Sequence, residues 1–177
     1  MKKIFVALIL CFHLSICYSQ SIAGVQFGMS YDECKVLLDN KFENGNKSYQ
    51  LEKNELDYYG VYFAGEFFSH AAFYFQNDGK RSYLKNIFFF RHFSLTESNK
   101  AKSMRDRLFD LYSNKYDGVD SYIADNGYRA FYWDIKNEDD YSISISIDKD
   151  KNNKGEMKLW VMVVYLGKNF IKAEDEI

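Results

Sequence analysis

The feature that most constrains this chain is an order of segments that runs twice. Phe27-Gly28-Met29-Ser30 opens the first run and Phe93-Ser94-Leu95-Thr96 the second, each an F-x-[ML]-[ST] helix start. Behind each start come an amphipathic helix and three aromatic or β-branched segments of strand length. A helix with one apolar stripe and a meander with an apolar face bury those surfaces against each other. The expected fold is therefore α+β: an antiparallel α-β-β-β unit, repeated over 20–92 and 93–166, packed as one compact domain and followed by a polar tail at 167–177.

In the first unit Ser30 is the expected N-cap, and Glu33 completes a capping box that satisfies backbone donors left open at the helix start. Tyr31, Cys34, Leu37 and Leu38 recur at helical spacing before Asn44-Gly45 ends the element. Cys34 lies on that stripe and reads as a small buried hydrophobe. Strands are expected at 55–64, 69–76 and 83–93, with Asn77-Asp78-Gly79-Lys80 as the hairpin turn between the last two. In the third strand Leu84, Asn86, Phe88, Phe90 and His92 share one face, and Lys85, Ile87, Phe89, Arg91 and Phe93 the other. Aromatics on both faces predict a central strand covered, at least in part, on both sides.

The second unit repeats the scheme with Thr96 as N-cap, Glu97 in the first turn, and Ala101, Met104, Leu108, Leu111 and Tyr112 as the apolar stripe. The helix is expected to stop near Asp117-Gly118, and strands follow at 128–136, 141–148 and 156–166. Ser142-Ile143-Ser144-Ile145-Ser146-Ile147 alternates so regularly that one face is buried and the other wet. Aromatic residues make up 19% of the chain and proline is absent, both of which favour hydrogen-bonded ladders.

Met1 to Ser19 has the form of a secretory signal peptide: Lys2 and Lys3, then an apolar run from Ile4 to Ile16, then small residues before Gln20. The run is too short for a transmembrane helix, which needs about 20 apolar residues. The expected location is thus exported, periplasmic or extracellular. Leu14-Ser15-Ile16-Cys17 supplies the alternative, an outer-membrane lipoprotein acylated at Cys17, although Ile16 is bulky for that signal. Without Lys2 and Lys3 the chain keeps 21 basic against 25 acidic residues, a net charge of -4. Such a mixed surface argues against nucleic-acid binding. Past Ser19 only Cys34 remains, so no intramolecular disulfide is expected.

Motifs of chemistry are sparse. His70 and His92 each lack a second histidine or cysteine at ligand spacing, and no phosphate loop, nucleophile elbow or H-E-x-x-H occurs. Asp148-Lys149-Asp150-Lys151-Asn152 opens like a calcium loop, but its glycine and glutamate fall at the eighth and ninth positions rather than the sixth and twelfth; it reads as a hairpin. Asn137 to Asp140 reads as an acidic turn. No catalytic residue, metal or cofactor is assigned. The aromatic wealth is the stronger signal, because exposed Tyr and Trp offer large, rigid contact area. Tyr59, Tyr62, Tyr132, Trp133 and Trp160 are the expected ligand-binding aromatics.

Gly28-Met29-Ser30-x-x-Glu33 followed by Leu37-Leu38 resembles the G-[MT]-[ST]-x-x-[EQ] helix start of small exported bacterial domains. Outer-membrane assembly lipoproteins of SmpA/OmlA type share it, as do the β-lactamase-inhibitor-protein-like domains, which are tandem helix-plus-meander units. The signal, aromatic content and Gln20 also resemble secreted proteins of the Bacteroidetes type. The resemblance implies a noncatalytic binder that presents a sheet surface or loops to a protein. The chain departs from the tandem inhibitors in lacking a disulfide in each unit and a second Gly-Met pair. The expected function is a periplasmic or envelope protein-binding module of a Gram-negative bacterium. The alternative is a carbohydrate-binding or carbohydrate-active domain that stacks sugars on aromatics, with Asp57, Glu66 or Asp134 as acid-base groups.

Overall fold

A computed structural model of the chain describes residues 21–43, 45–50, 54–77, 79, 82–136, 141–152 and 154–167. The signal segment with Cys17, the acidic turn at 137–140 and the tail beyond Gly167 lie outside the described residues. Helix α1 (Tyr31–Lys41) is followed by β1 (Asn46–Gln50), β2 (Glu55–Phe63), β3 (Glu66–Asn77) and β4 (Ser82–Ser94). Helix α2 (Ser98–Ser113) is followed by β5 (Val119–Ile123), β6 (Arg129–Ile135), β7 (Tyr141–Lys151) and β8 (Met157–Gly167).

The fold is α+β, with all eight strands in one antiparallel sheet of order β1-β2-β3-β4-β8-β7-β6-β5. Each helix precedes four strands, not the three expected from the sequence. The additional strands, β1 and β5, are the five-residue edges of the sheet. Every residue of β5 is exposed, so neither an apolar run nor a buried alternation marks it. The last strands of the two halves, β4 and β8, meet at the centre from Asn86↔Leu166 to Ser94↔Lys158.

Both helices lie on one side of the sheet. The capping box at Ser30 forms, with Glu33 N–H donating to Ser30 Oγ and Glu33 Oε2 accepting from Ser30 N–H at 3.0 Å. Tyr31, Cys34 and Leu38 are buried, whereas Leu37 is exposed. The second start is shifted from its expected place. Thr96 sits within a 3-10 turn, Leu95–Glu97, and Glu97 Oε2 reaches back to the Ser94 N–H at 3.1 Å. The two S-x-x-E boxes therefore match as Ser30–Glu33 and Ser94–Glu97. Helix α2 ends at Ser113 and buries Ala101, Met104, Leu108 and Tyr112, while Leu111 is exposed.

Beneath the helices one continuous core joins Cys34, Leu38, Tyr58 and Phe73 in the first half to Met104, Leu108, Trp133, Ile145 and Val163 in the second. Phe89 in β4 is fully buried and lies 4.1 Å from Phe63, ring centre to ring centre. The alternation of β2 changes phase at Gly60, whose φ of +69° lets Tyr58 and Val61, three apart, both point to the core. A register shift opposite Tyr74/Phe75 does the same in β4, placing Leu84 in the core with Ile87 and Phe89. β4 is central, as expected, and its two faces are covered unequally: Ile87, Phe89 and Phe93 lie buried under the helices, while Asn86, Phe88 and Phe90 on the other face are half-buried.

Candidate functional site: the open face of the sheet

Residues paired across neighbouring strands point to the same side of a sheet, so the register fixes what the helix-free face carries. One row crosses all eight strands: Ser48, Asp57, Ala72, Phe88, Val164, Ser144, Tyr132 and Asp120. A parallel row runs through Tyr59, His70, Phe90, Met162 and Ser146, and another through Glu55, Tyr74, Asn86, Leu166, Ser142 and Asp134. Seven gaps of about 4.8 Å make this face about 34 Å wide. Neither helix packs over it, since the buried residues of both join the core on the other side.

Its centre and first half carry a connected chain of rings. Tyr59 stacks on His70 with centroids 4.6 Å apart and planes 11° from parallel. His70 meets Phe90 at 5.5 Å, Phe90 lies 16° from parallel with Phe88 at 5.8 Å, and Phe88 meets Tyr74 edge-on at 5.2 Å. Phe90 also touches Trp160 at 6.0 Å, and Trp160 meets His92 at 4.0 Å. The second half of the face is different in kind, because β7 contributes Ser142, Ser144 and Ser146 rather than rings.

At the rim of the rings, Asp57 Oδ1 lies 2.6 Å from His70 Nε2. Asp57 is only 1% exposed and also interacts with the Glu55 side chain. Glu55 stands two residues away on the same face. Burial raises its pKa, and the neighbouring Asp57 adds to the rise against a hydrogen bond from Tyr74 that lowers it. Partial burial against Trp160 lowers the pKa of His92, with His70 and Lys158 adding repulsion in the same direction. Trp160 Nε1 is buried and has no hydrogen-bond partner among the described residues.

The expected aromatics divide clearly. Tyr59, 39% exposed, and Trp160 belong to the ring chain, and Tyr132 lies on the same face three strands from Phe88. Tyr62 is the most exposed of the five, at 73%, but sits at the β2–β3 hairpin against Phe67, outside the chain. Trp133 corrects the expectation outright: it is 0% exposed, packed under α2 near Phe109 and Tyr112. Its neighbours in sequence explain this, because Tyr132 and Trp133 necessarily point to opposite sides of β6. His70, Tyr74, Phe88, Phe90 and His92 were not among the expected binding residues.

The three carboxylates of the carbohydrate-active alternative do not converge. Asp57 and Asp134 stand toward opposite ends of the open face, and Glu66 is on the helix side, 2.6 Å from Arg107 Nε. Among the described residues, cavities of about 330 Å³ beside Arg91, Met104 and Arg107, about 380 Å³ beside Lys41, Tyr62 and Ala64, and about 260 Å³ beside Phe63, Tyr112 and Tyr165 are lined by no carboxylate. No described helix is long and apolar enough to cross a membrane. No family model matches the chain, and neither a curated protein nor a solved structure matches it.

Proposed function

We propose that the protein is a noncatalytic, exported binding module of a Gram-negative envelope that engages a protein partner through the helix-free face of its sheet. The observation that carries this reading is the connected chain of rings from Tyr59 to Trp160 on a face with no helix over it. Large apolar patches on an otherwise polar protein mark interaction surfaces, and sheet-held rings lose little side-chain freedom when a partner covers them. The resemblance to tandem inhibitor-like domains fits the same reading. It is supported by two helix-plus-four-strand halves, each begun by an S-x-x-E box, and by the mirrored strand order β1-β2-β3-β4-β8-β7-β6-β5; we read these as an internal duplication.

The test is capture from envelope extract with the full chain as bait, alongside Phe90→Asp and Trp160→Ala on the open face and Lys102→Glu on α2. Loss of the captured partner with the first two and its retention with the third are expected. Capture that survives both open-face changes and fails with Lys102→Glu refutes the reading. A glycan array that responds to the native chain and falls blank with Trp160→Ala favours the carbohydrate alternative.

A further inference from the structure

The sheet sorts charge by face. Strand positions on the open side carry six carboxylates, Glu55, Asp57, Asp120, Asp134, Asp148 and Asp150, against one lysine, Lys158. Strand positions on the helix side carry Lys47, Arg91, Arg129, Lys149 and Lys151 against one carboxylate, Glu66, with Lys85 at the β4 register shift left aside. A chain of net charge -2 has no compositional need for this separation. The open-side acids are also placed in a pattern. Within single cross-strand rows, Asp57 and Asp120 flank Phe88 and Val164, and Glu55 and Asp134 flank Tyr74 and Leu166. These two rows thus carry a carboxylate toward each end, with Phe88 and Val164 in the middle of one and Tyr74 and Leu166, beside Asn86 and Ser142, in the middle of the other.

From this layout we infer that the partner of the open face is a basic protein segment, whose arginine or lysine side chains lie over the rings and are drawn by the carboxylates on either side. The inference rests on the protein-binding reading above and specifies the chemistry of the partner. Two physical effects favour a cation there. A guanidinium or ammonium group is attracted to the faces of aromatic rings, which Tyr59, Phe88, Phe90 and Trp160 supply. The same group gains Coulomb energy from carboxylates at the rim, and complementary charge sets partner choice and association rate more than it sets total affinity. Glu55 is the partly exposed acid nearest the rings, beside Tyr74, while buried Asp57 lies against His70. An acidic partner meets the reverse: six carboxylates at the strand positions on its side against Lys158, with Lys136 3.9 Å from Asp134.

The chain carries two tryptophans, and the fold places Trp160 on the open face and Trp133 in the core, so its indole N–H signals form a site probe with an internal reference. The test is an NMR titration of the full chain with three decapeptides of equal tyrosine content, one rich in arginine, one in glutamate and one in glutamine. The arginine peptide is expected to move the Trp160 signal and leave Trp133 in place, with an affinity about tenfold above the glutamine peptide that falls as salt is added. Glu55→Gln should weaken the arginine peptide about threefold, and Glu55→Gln with Asp57→Asn about tenfold. An unshifted Trp133 signal reports that these variants remain folded, and if Asp57→Asn disturbs it, Glu55→Gln and the salt dependence decide. Equal responses to the arginine and glutamine peptides, unchanged by Glu55→Gln, overturn the charge assignment and leave the protein-binding face standing. A Trp160 signal that no peptide moves overturns the basic-partner inference, while the protein-binding reading is decided separately by the capture variants.

Discussion

Asp39 fastens α1 to the edge of the sheet, and its charge can be tested directly. Its Oδ1 accepts hydrogen bonds from Tyr49 in β1 at 2.6 Å and Tyr58 in β2 at 3.0 Å, and Lys35 Nζ lies 3.1 Å from Oδ2. Burial alone would raise its pKa, but the bonds from Tyr49, Lys35 and Tyr58 outweigh it and hold the carboxyl at about 2, against an ordinary 3.8. At about 1.4 kcal/mol for each pH unit, the charged form adds about 2 kcal/mol to stability at neutral pH. The pKa of Tyr49 moves the opposite way, to about 12, through burial and the same carboxylate; this is the same interaction and is not added again.

Asp39→Asn keeps an acceptor oxygen and removes the charge, so urea denaturation at neutral pH should show a loss of about 2 kcal/mol. Because the folded-state pKa is depressed, the stabilisation is present above 3.8 and is lost as pH falls toward about 2. The gap between native and Asp39→Asn chains should therefore hold at mildly acidic pH and close between those values. A gap that is absent at neutral pH, or that stays constant down to pH 2, refutes the reasoning.

Trp133→Ala should cost about 3–5 kcal/mol in the same denaturation assay, whereas Trp160→Ala should cost well under half as much, because only the first leaves a core cavity. Gly60→Ala forces a side chain onto a φ of +69° and should destabilise by about 1–2 kcal/mol. Cys34 is fully buried and its thiol pKa is pushed up to about 12 by that burial, so Ellman's reagent should react with it only after denaturant is added. His92 should titrate below 6.5 when followed by NMR; its protonation is disfavoured in the folded chain, so this residue subtracts stability as pH falls below its unfolded value.

The elements that bury a periodic apolar face were legible in the sequence. β7 reads itself, since Ile143, Ile145 and Ile147 alternate with serines, and the Ser30–Glu33 box marks its helix to the residue. β1 and β5 escaped because Asn46-Lys47-Ser48-Tyr49-Gln50 and the wholly exposed Val119–Ile123 gain their strand state from a neighbour's backbone rather than from burial. The candidate site was half legible for a related reason. Composition announces that rings are in excess, and alternation groups Phe88, Phe90 and His92, but only the position of the helices decides which group is left uncovered. Trp133 and Trp160 look alike in sequence and differ only in strand parity relative to α2.

The β4–β8 seam decides whether either half can live alone. Proteins protect their sheet borders by keeping them short or polar, and the natural borders here, β1 and β5, are each five residues long. Severing the chain between Ser94 and Ser98 would give each fragment a new border of the opposite kind: β4, thirteen residues long, or β8, eleven residues long, with apolar side chains on both faces. Such borders recruit other chains. The two halves, made separately, should therefore associate with each other or aggregate.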